Sequence, residues 1–302
     1  MHDTVRQISK QLKANSNVSS SHWDLMHEDF SFDGENFAGL HGFEGFTVKS
    51  KNFLAPLLHK LLQTKFRNFG RDFPDWKKIY NASWHISRCY GGQYDLGMLR
   101  QALTIGLLSK TGIIKEAEKI VIIGDGYGAL TSLIHYLFPQ KRIFSINLIK
   151  TLLVDCSYFL KAFPSSKPHF VNSQTDIEKF NASADKIAFI NAESYSILPS
   201  TQAQLFVNVS SMQEMNPSIV INYFEFMRRT PGSPHFYCCN RTDKTLPDGT
   251  KSRFDDYPWS EQDKIIIDEE CPWSQEYYAT RPPFFRKYDG PHQHRLVRLS
   301  SN

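Results

Sequence analysis

The sequence predicts an α/β fold, a Rossmann-like doubly wound sheet preceded by a helical N-terminal extension. From residue 119 onward, short apolar runs rich in β-branched residues alternate with helical patterns. This alternation is typical of a mainly parallel sheet with helices on both faces. Before residue 112 the apolar spacing is mostly helical. We therefore predict a helical extension over residues 1–112 and a sheet-containing domain with a C-terminal tail over residues 113–302.

The predicted extension is built from a few helices joined by irregular segments. A short helix at the start is followed by a soft Ser/Asn segment over residues 15–21. Leucines recur on one side of a predicted helix over residues 51–66. Asp95 suits the N-cap of a further helix, whose leucine stripe ends near Gly112. Helices thus lead into the first strand of the sheet.

The predicted sheet domain follows from the order of its apolar segments. Its strands cover residues 120–123, 142–148, 169–171, 186–191, 205–209, 235–240, 264–267 and 295–299. Its helices cover residues 129–138, 150–163 and 217–229. Pro139 follows the first of these helices and Pro217 begins the last, which are the positions where proline is tolerated. Helices that connect successive strands favour parallel pairing of those strands.

A glycine-rich turn joins the first strand of the sheet to its helix. Gly124, Gly126 and Gly128 allow a ligand to approach bare backbone, and the next helix offers free N–H groups. The spacing Gly124-x-Gly126-x-x-Ala129 fits a dinucleotide fingerprint. The spacing Gly124-x-Gly126-x-Gly128 fits the loop with which class I methyltransferases hold S-adenosylmethionine. A third interpretation is a turn that only connects a strand to a helix.

Composition excludes several classes of protein. The chain has 302 residues, a net charge of +4 and scattered Lys and Arg, so it lacks the footprint of a nucleic-acid-binding protein. Its five cysteines include no C-x-x-C pair, which favours free thiols over a disulfide framework or a zinc site. No apolar run approaches the roughly 20 residues of a membrane span, and the N-terminus lacks a signal-peptide core. We expect a cytoplasmic protein without a metal, and the sequence is compatible with a homo-oligomer.

Several sequence blocks occur in a fixed order between about residue 80 and the end of the chain. They are residues 122–128 (IIGDGYG), 205–216 (LFVNVSSMQEMN), 239–241 (CNR), 246–249 (LPDG), 256–259 (DYPW), 270–273 (ECPW), 281–284 (RPPF) and 288–297 (YDGPHQHRLV). With these blocks the chain resembles the bacterial sugar O-methyltransferase family. The resemblance implies a class I methyltransferase fold, S-adenosylmethionine as the methyl donor, and a sugar hydroxyl as the acceptor in polysaccharide or lipopolysaccharide decoration.

Residues at the carboxyl ends of the predicted strands are the candidates for holding the cofactor. They are Gly124, Asp125, Gly126, Tyr127, Gly128, Asn147, Asn191, Asn208 and Ser210. Two positions depart from the usual pattern, because Ile122 and Asn147 stand where an acidic residue is common. An Asn offers one carbonyl oxygen where a carboxylate accepts two charge-assisted hydrogen bonds from a ribose. This predicts weaker cofactor binding, a different acidic side chain, or a non-catalytic relative.

Methyl transfer to a hydroxyl needs a group that takes the hydroxyl proton. Glu214 follows a predicted strand at the sheet edge that faces ligands, so it is one candidate base. His292 and His294 lie two residues apart and face the same way on an extended segment, so either is another candidate. A charge at the start of a helix and a hydrogen-bonded structural histidine pair are the alternative interpretations.

Three further residues are candidates for binding the acceptor. Arg281 and Arg295 suit an acidic sugar or a phosphate, because guanidinium pairs with both in bidentate fashion; structural ion pairs are the alternative. Tyr90 precedes a Gly91-Gly92 turn that either folds over the pocket or crosses the surface. Two other functions stay open, namely an NAD-dependent oxidoreductase of nucleotide sugars and a non-catalytic methyltransferase-fold protein that binds a partner or glycan.

Overall fold

The N-terminal part of the protein is mostly helical, as predicted. The computed structural model describes residues 2–12, 17–41 and 55–301, so part of the predicted 15–21 segment and the start of the predicted 51–66 helix lie outside the described residues. The helices before the sheet are α1 (Asp3–Ser9), α2 (Ser21–Met26), α3 (Ala55–Leu62), α4 (Thr64–Arg67), α5 (Trp76–Tyr90), α6 (Leu96–Lys110) and α7 (Ile113–Glu116). Two short antiparallel strands, β1 (Ser31–Phe32) and β2 (Phe37–Ala38), follow α2.

From residue 119 onward strands and helices alternate. The elements up to the C-terminal tail are β3 (Lys119–Ile123), α8 (Ala129–Leu137), β4 (Arg142–Asn147), α9 (Ile149–Ala162), β5 (His169–Val171), α10 (Gln174–Ala182), β6 (Ile187–Asn191), α11 (Leu198–Thr201), β7 (Leu205–Val209), α12 (Pro217–Arg228) and β8 (His235–Arg241). The tail contains only strands and one short 3-10 turn, namely β9 (Asp243–Thr245), β10 (Lys251–Arg253), the turn Phe254–Asp256, β11 (Lys264–Glu270), β12 (Glu276–Tyr278), β13 (Phe285–Lys287) and β14 (His292–Arg298).

The central sheet has eight strands in the order β11-β14-β8-β7-β3-β4-β6-β5. Strands β3 to β8 are parallel to one another, whereas β14 is antiparallel to both of its neighbours. After β3 the chain adds β4 on one side of this strand, and it later adds β7 and β8 on the other side. The strand order therefore reverses between β3 and β7, and ligands of such sheets bind outside the carboxyl ends at that point.

Both faces of the sheet are covered, which is why β3 is apolar throughout. Ile120 and Ile122 belong to the core on the side of α5, α6, α8 and α9, whereas Val121 and Ile123 belong to the core under α10 and α12. All four residues are essentially buried. Alternate side chains of a strand point to opposite faces, so a run without polar residues requires two covered faces. The predicted α/β fold with a helical N-terminal part is confirmed.

Candidate functional site

A cavity of about 330 Å³ lies at the carboxyl ends of β3, β4 and β7, where the strand order reverses. Its volume is in the range of small-molecule sites. Six of the predicted cofactor residues line it, namely Gly124, Asp125, Gly126, Tyr127, Asn147 and Ser210. Glu214, one of the candidate bases, also lines it, whereas Gly128 does not. The N-terminal part adds Val18, Ser20, Trp23, Asp95, Gly97 and Gln101, and the apolar remainder includes Ile146, Leu148, Ala192, Met215 and Tyr223.

The glycine loop between β3 and α8 is strained for any other residue. Gly124, Gly126 and Gly128 have φ angles of 71°, 84° and 63°, the left-handed region that glycine adopts most readily. A Cβ atom on Gly124 would lie 2.2 Å from Ser211 Oγ, and one on Gly128 would lie 2.6 Å from the carbonyl oxygen of Asp155. The loop thus packs against the protein on its inner side and presents backbone to the cavity.

Asp125 turns its carboxylate toward helix α8. Its Oδ1 accepts from the backbone N–H of Leu130 at 2.8 Å and its Oδ2 from that of Thr131 at 2.7 Å. These two N–H groups belong to the first turn of the helix, so the protein's own carboxylate occupies the donors that an anion would use. Burial raises the pKa of Asp125, and the hydrogen bonds from the helix oppose that rise.

Asp155 on α9 is a buried acid beneath the loop that the sequence did not reveal as a site residue. Its two carboxylate oxygens accept from Gly128 N at 3.1 Å and from Asn147 Nδ2 at 3.0 Å. Burial first, and the nearby charge of Asp125 second, raise the pKa of Asp155 well above its usual range. The sequence signal that could have identified it is an aspartate within the apolar pattern of the predicted helix over residues 150–163. Position 147 therefore carries no acid of its own, but the carboxylate of Asp155 on the following helix orients the Asn147 side chain.

Asp95 is a second acid at the cavity that sequence reasoning identified only as a helix cap. It does cap α6, because its Oδ1 accepts from Met98 N at 2.8 Å. Burial raises the pKa of this carboxyl group to about 6. One turn further along α6, the buried Oε1 atom of Gln101 has no hydrogen-bond partner among the described residues. Both side chains line the cavity and are positioned to meet a ligand.

Glu214 lies in the 3-10 turn Met212–Glu214 after β7 and contributes its side chain to the cavity. Lys244 Nζ lies 2.7 Å from its Oε1 atom, and His22 Nε2 lies 3.5 Å from its Oε2 atom. The carboxylate is 17% exposed, so it keeps contact with solvent or a ligand. A carboxylate in this position can accept a proton or hold a hydroxyl group.

Residues 17–26, which we name the N-terminal arm, cross the carboxyl edge of the sheet. Ser20 Oγ donates to the carbonyl oxygen of Glu214, and Asn216 Nδ2 donates to Ser19 O at 3.3 Å. Asn17 N donates to Glu193 Oε1 at 2.7 Å. These contacts hold the arm against the turns that follow β6 and β7. The arm closes one side of the cavity with Val18, Ser20 and Trp23.

Asn191 and Asn208 are not among the cavity-lining residues, although both were predicted to contact the cofactor. Asn208 is fully buried, where it donates to Ile123 O at 2.8 Å and accepts from Met212 N. Asn191 caps its own 3-10 turn and donates to Asn172 Oδ1 at 2.8 Å. Gly128 also lies behind the lining, where it forms the N-cap of α8. These three residues shape the ends of the strands from behind the cavity.

Neither His292 nor His294 lines the cavity, and the prediction that one of them is the base stays a prediction. Both lie on the buried face of β14. His294 Nδ1 is 3.1 Å from the hydroxyl of Tyr237, and its Nε2 is 3.4 Å from Glu269 Oε1. Burial lowers the pKa of His292 to about 3, helped by the charges of Arg100 and Arg241. The two histidines share one face of the strand, as predicted, but that face is turned to the interior of the protein.

The three predicted acceptor residues also lie away from the cavity lining. Tyr90 is buried, and its hydroxyl donates to Gly128 O at 2.8 Å, so it supports the glycine loop from beneath. Arg295 pairs with Asp268 on the neighbouring strand at 2.7 Å and lies over the Trp259 ring. This contact is the structural ion pair that the sequence analysis gave as the alternative to acceptor binding. Arg281 is exposed in the segment between β12 and β13. The acceptor-binding role of these arginines stays a prediction.

Two negative findings apply to the described residues. No group of three or more His, Cys, Asp or Glu side chains among them is arranged to hold a metal ion. Within the same part of the chain, no helix has the length and apolar character to cross a membrane. The five cysteines are unbridged, and all except Cys89 are buried. The predicted cytoplasmic location and oligomeric state stay predictions.

Comparison with known proteins gives similarity at the level of structure only. No protein-family model matches the chain, and no curated protein matches it. An S-adenosylmethionine-dependent methyltransferase from Clostridium acetobutylicum is 13% identical, with a TM-score of 0.39 over 67% of this chain and 91% of that chain. The mitomycin 7-O-methyltransferase MmcR is 10% identical, with a TM-score of 0.36 over 67% of this chain and 57% of that chain. A mutant of MtNAS is 10% identical, with a TM-score of 0.40 over 99% of this chain and 97% of that chain.

Proposed function

We propose that the protein binds S-adenosylmethionine in the cavity and transfers its methyl group to a hydroxyl group of a sugar. The observation that carries this proposal is the position of the cavity at the reversal of strand order, bordered by bare backbone of the glycine loop and by the acids Asp95 and Glu214. Backbone without side chains admits a nucleoside at close range, and carboxylates favour a positively charged ligand. The sugar as acceptor rests on the family resemblance.

The capping of α8 by Asp125 disfavours the nicotinamide alternative. In dinucleotide-binding folds the pyrophosphate occupies the N-terminus of the helix after the glycine turn. Here the N–H groups of Leu130 and Thr131 already donate to Asp125, and its carboxylate adds negative charge at that place. S-adenosylmethionine contains no phosphate and carries a positively charged sulfonium and ammonium group. The loop therefore suits a cationic nucleoside better than an anionic dinucleotide.

The remaining contacts are assigned by chemistry. We assign the amino group of the donor to Asp95, because a carboxylate at the cavity stabilises an ammonium ion through a charge-assisted hydrogen bond. We assign a ribose hydroxyl to Asn147, which Asp155 holds at 3.0 Å in a fixed orientation. The apolar residues Leu148 and Ala192 border the part of the cavity next to Asn147 and suit an adenine ring.

The donor supplies an activated methyl group on a positively charged sulfur. In the reaction the acceptor oxygen forms a bond to the methyl carbon, the carbon–sulfur bond breaks, and its electron pair stays on sulfur. The hydroxyl proton goes to Glu214, which we propose as the general base. Lys244 at 2.7 Å holds this carboxylate in place. Positioning of the hydroxyl in line with the methyl group supplies much of the remaining acceleration.

Calorimetry with three ligands tests the cofactor. We expect S-adenosylmethionine and S-adenosylhomocysteine to bind and NAD to show no heat of binding. Binding of NAD alone would instead establish the oxidoreductase alternative. Binding of none of the three would leave the non-catalytic alternative.

A screen of nucleotide sugars and polysaccharide fragments for transfer of a labelled methyl group tests the acceptor. With an acceptor from the screen, Glu214→Gln should lower turnover by about 10²-fold or more while the affinity for S-adenosylhomocysteine stays within about twofold. Glu225→Gln on the exposed side of α12 is the matched control and should keep full turnover. Normal turnover in Glu214→Gln would remove Glu214 from the base role.

A further inference from the structure

Two arginines lie beside Tyr288, which contacts His292, and Lys244 lies beside Glu214; none of these three cations lines the cavity. Arg100 comes from α6, Arg241 from the end of β8 and Lys244 from β9. Lys244 is paired with Glu214, but neither arginine takes part in any ion pair within the described ranges. After burial, the charges of Arg100, Arg241 and Lys244 lower the pKa of His292, whose ring lies 5.0 Å from that of Tyr288. The cationic cluster of Arg100, Arg241 and Lys244 thus contains two arginines without an ion pair in the described part of the chain.

Arg241 has most of its hydrogen-bonding capacity left over. Its guanidinium donates to the carbonyl oxygen of Asp289 at 3.5 Å, which is the limit of a hydrogen bond. Its Nε atom is buried without a partner among the residues that the structure describes. Its charged end lies 5.4 Å from the centre of the Tyr288 ring. A buried guanidinium nitrogen without an acceptor is costly, because its hydration is lost and nothing replaces it.

Arg100 contacts the same tyrosine. Its guanidinium is 5.1 Å from the centre of the Tyr288 ring and donates to the Tyr288 hydroxyl at 2.7 Å. Its two other hydrogen bonds go to the carbonyl oxygens of Trp273 and Glu276. These neutral acceptors fix the position of the side chain, whose positive charge acts on Asp95 but takes part in no ion pair in the described chain. Arginine in such a fixed position is suited to carboxylate and phosphate groups.

His292 adds an unused polar atom to the same place. It is directly opposite Arg241 in the pairing of β14 with β8, and its ring lies 5.0 Å from that of Tyr288. The residue is 4% exposed, and its Nδ1 atom has no hydrogen-bond partner in the described chain. An oxygen atom of a ligand that enters here can form a hydrogen bond with this nitrogen.

The cluster is fixed next to the proposed base. Gln213 Oε1 accepts from the backbone N–H of Arg241 at 2.7 Å, and Gln213 N donates to Asn240 Oδ1 at 3.1 Å. These two bonds fasten the turn that carries Glu214 to the end of β8. A molecule whose hydroxyl reaches Glu214 therefore meets the end of the strand that carries Arg241.

We infer that Arg241, Arg100 and His292 bind a carboxylate or phosphate group of the acceptor, which makes the acceptor an acidic sugar. This inference rests on the proposed function for the identity of the acceptor, but the anion site itself is testable without methyl transfer. It also assigns acid recognition to arginines other than Arg281 and Arg295.

The first experiment uses inorganic phosphate as the probe on the protein saturated with S-adenosylhomocysteine. We expect saturable binding by calorimetry and a shift of the His292 imidazole resonances, assigned with His292→Gln. Arg241→Gln should weaken phosphate binding about tenfold or more, and Arg241→Lys should restore part of it. Arg229→Gln, at the exposed C-cap of α12, is the matched control and should bind like the wild type.

Two outcomes would overturn the anion site. One is phosphate binding that Arg241→Gln leaves unchanged while this variant still binds S-adenosylhomocysteine. The other is the absence of saturable phosphate binding by the wild type at tens of millimolar. Failure of the wild type to bind S-adenosylhomocysteine would count against the proposed function alone, because phosphate binding can be measured on the unliganded chain.

The second experiment separates the two anion chemistries with glucuronate, glucose 6-phosphate and glucose as competitors of phosphate. Competition by glucuronate alone identifies a carboxylate site, and competition by glucose 6-phosphate alone identifies a phosphate site. Equal competition by neutral glucose would refute recognition of a charge.

Discussion

At the scale of single residues, Gly126 is the most direct test of the cavity. It lies at the centre of the glycine loop with a φ angle of 84° and lines the cavity with its backbone. We predict that Gly126→Val abolishes binding of S-adenosylhomocysteine, because a branched side chain would occupy the space of the ligand. The measurement is calorimetric titration of the folded variant.

Gly249 provides the matched control for that substitution. Its φ angle of 88° imposes the same backbone strain of about 1–3 kcal/mol, but a Cβ atom there would meet nothing within 4 Å. Gly249→Val should therefore lose a similar amount of stability and keep its affinity for S-adenosylhomocysteine. Undiminished binding by Gly126→Val would remove the loop from the site.

Asp95 links the stability of the protein to its proposed ligand. Burial raises its pKa from the ordinary value of 3.8 to about 6, so the folded chain binds this proton more tightly than the unfolded chain. The contribution of Asp95 to the free energy of unfolding therefore falls as the pH rises from about 4 to about 6 and stays low above that range. Asparagine is an equally good N-cap and carries no charge.

We predict that Asp95→Asn is more stable than the wild type at neutral pH by up to roughly 3 kcal/mol and equally stable below the ordinary pKa of aspartate. Its affinity for S-adenosylhomocysteine should fall about tenfold, because the carboxylate partner of the ammonium group is lost. Urea unfolding across the pH range and calorimetry measure the two effects. Asp75→Asn, at an exposed position before α5, should change neither quantity. A pH profile identical to that of the wild type would contradict the assigned burial.

At the scale of elements, the N-terminal arm is the part of the extension that completes the cavity. Ser20 and Trp23 line it, while α1 packs elsewhere, with Ile8 buried and Thr4 Oγ1 bonded to Pro168 O. We predict that removal of residues 1–26 weakens S-adenosylhomocysteine binding by at least about tenfold, or 1.4 kcal/mol, because one side of the cavity is opened to water. The truncation removes Val5 and Ile8 from one core and Val18 from the other, and the rest of both cores should keep the sheet folded by circular dichroism.

Removal of residues 1–12 alone separates the arm from α1. This shorter truncation should lower the melting temperature, since it exposes the apolar surface beneath α1, and should preserve affinity. Equal losses of affinity in both truncations would show that the arm itself does not contact the ligand.

Most elements after residue 119 were predictable from the sequence, and some of the elements missed along the chain have identifiable signals. The aromatic residues Trp76, Tyr80 and Trp84 recur at every fourth position and mark one side of α5. Ser173 and Asp176 form the cap that begins α10, with Ser173 Oγ accepting from Asp176 N at 3.3 Å. The short pair β12 and β13 has no such signal, because two three-residue strands are too short to show a period.

At the scale of the whole molecule, one buried ion pair joins the end of α12 to the C-terminal tail. The Nη1 and Nη2 atoms of Arg228 donate to the two carboxylate oxygens of Asp263 at 2.6 and 2.7 Å. The backbone N–H of Ser300 donates to the same carboxylate at 2.9 Å. Burial raises the pKa of Asp263, but the hydrogen bonds from Arg228 and Ser300 outweigh it, so the pKa is lower than usual.

We predict that Asp263→Ala lowers the free energy of unfolding by about 3–5 kcal/mol, because a buried guanidinium is left without its anion. Glu225→Ala removes an exposed partner of Arg229 and should cost no more than about 1 kcal/mol. Chemical denaturation of both variants measures the difference. Equal losses in the two variants would show that the Arg228–Asp263 pair does not hold the tail to the sheet.

The sequence by itself determined the α/β class, the order of strands and helices from residue 119, and the glycine loop with its neighbours Asp125, Asn147 and Glu214. These features follow from local spacing, because periodicity and glycine positions depend on residues near in the chain. It also predicted a same-face pair at His292 and His294, but not which face is buried.

Only the tertiary structure decided that Asp155, Asp95 and the N-terminal arm meet at the loop, that His294 and Arg295 are held by neighbours inside the protein, and that Arg100 and Arg241 lie together beside Tyr288. Residues 100 and 241 come from different elements, and their distance is fixed by how α6 packs on the sheet. Such contacts join residues far apart in the chain and leave no periodic trace in the sequence.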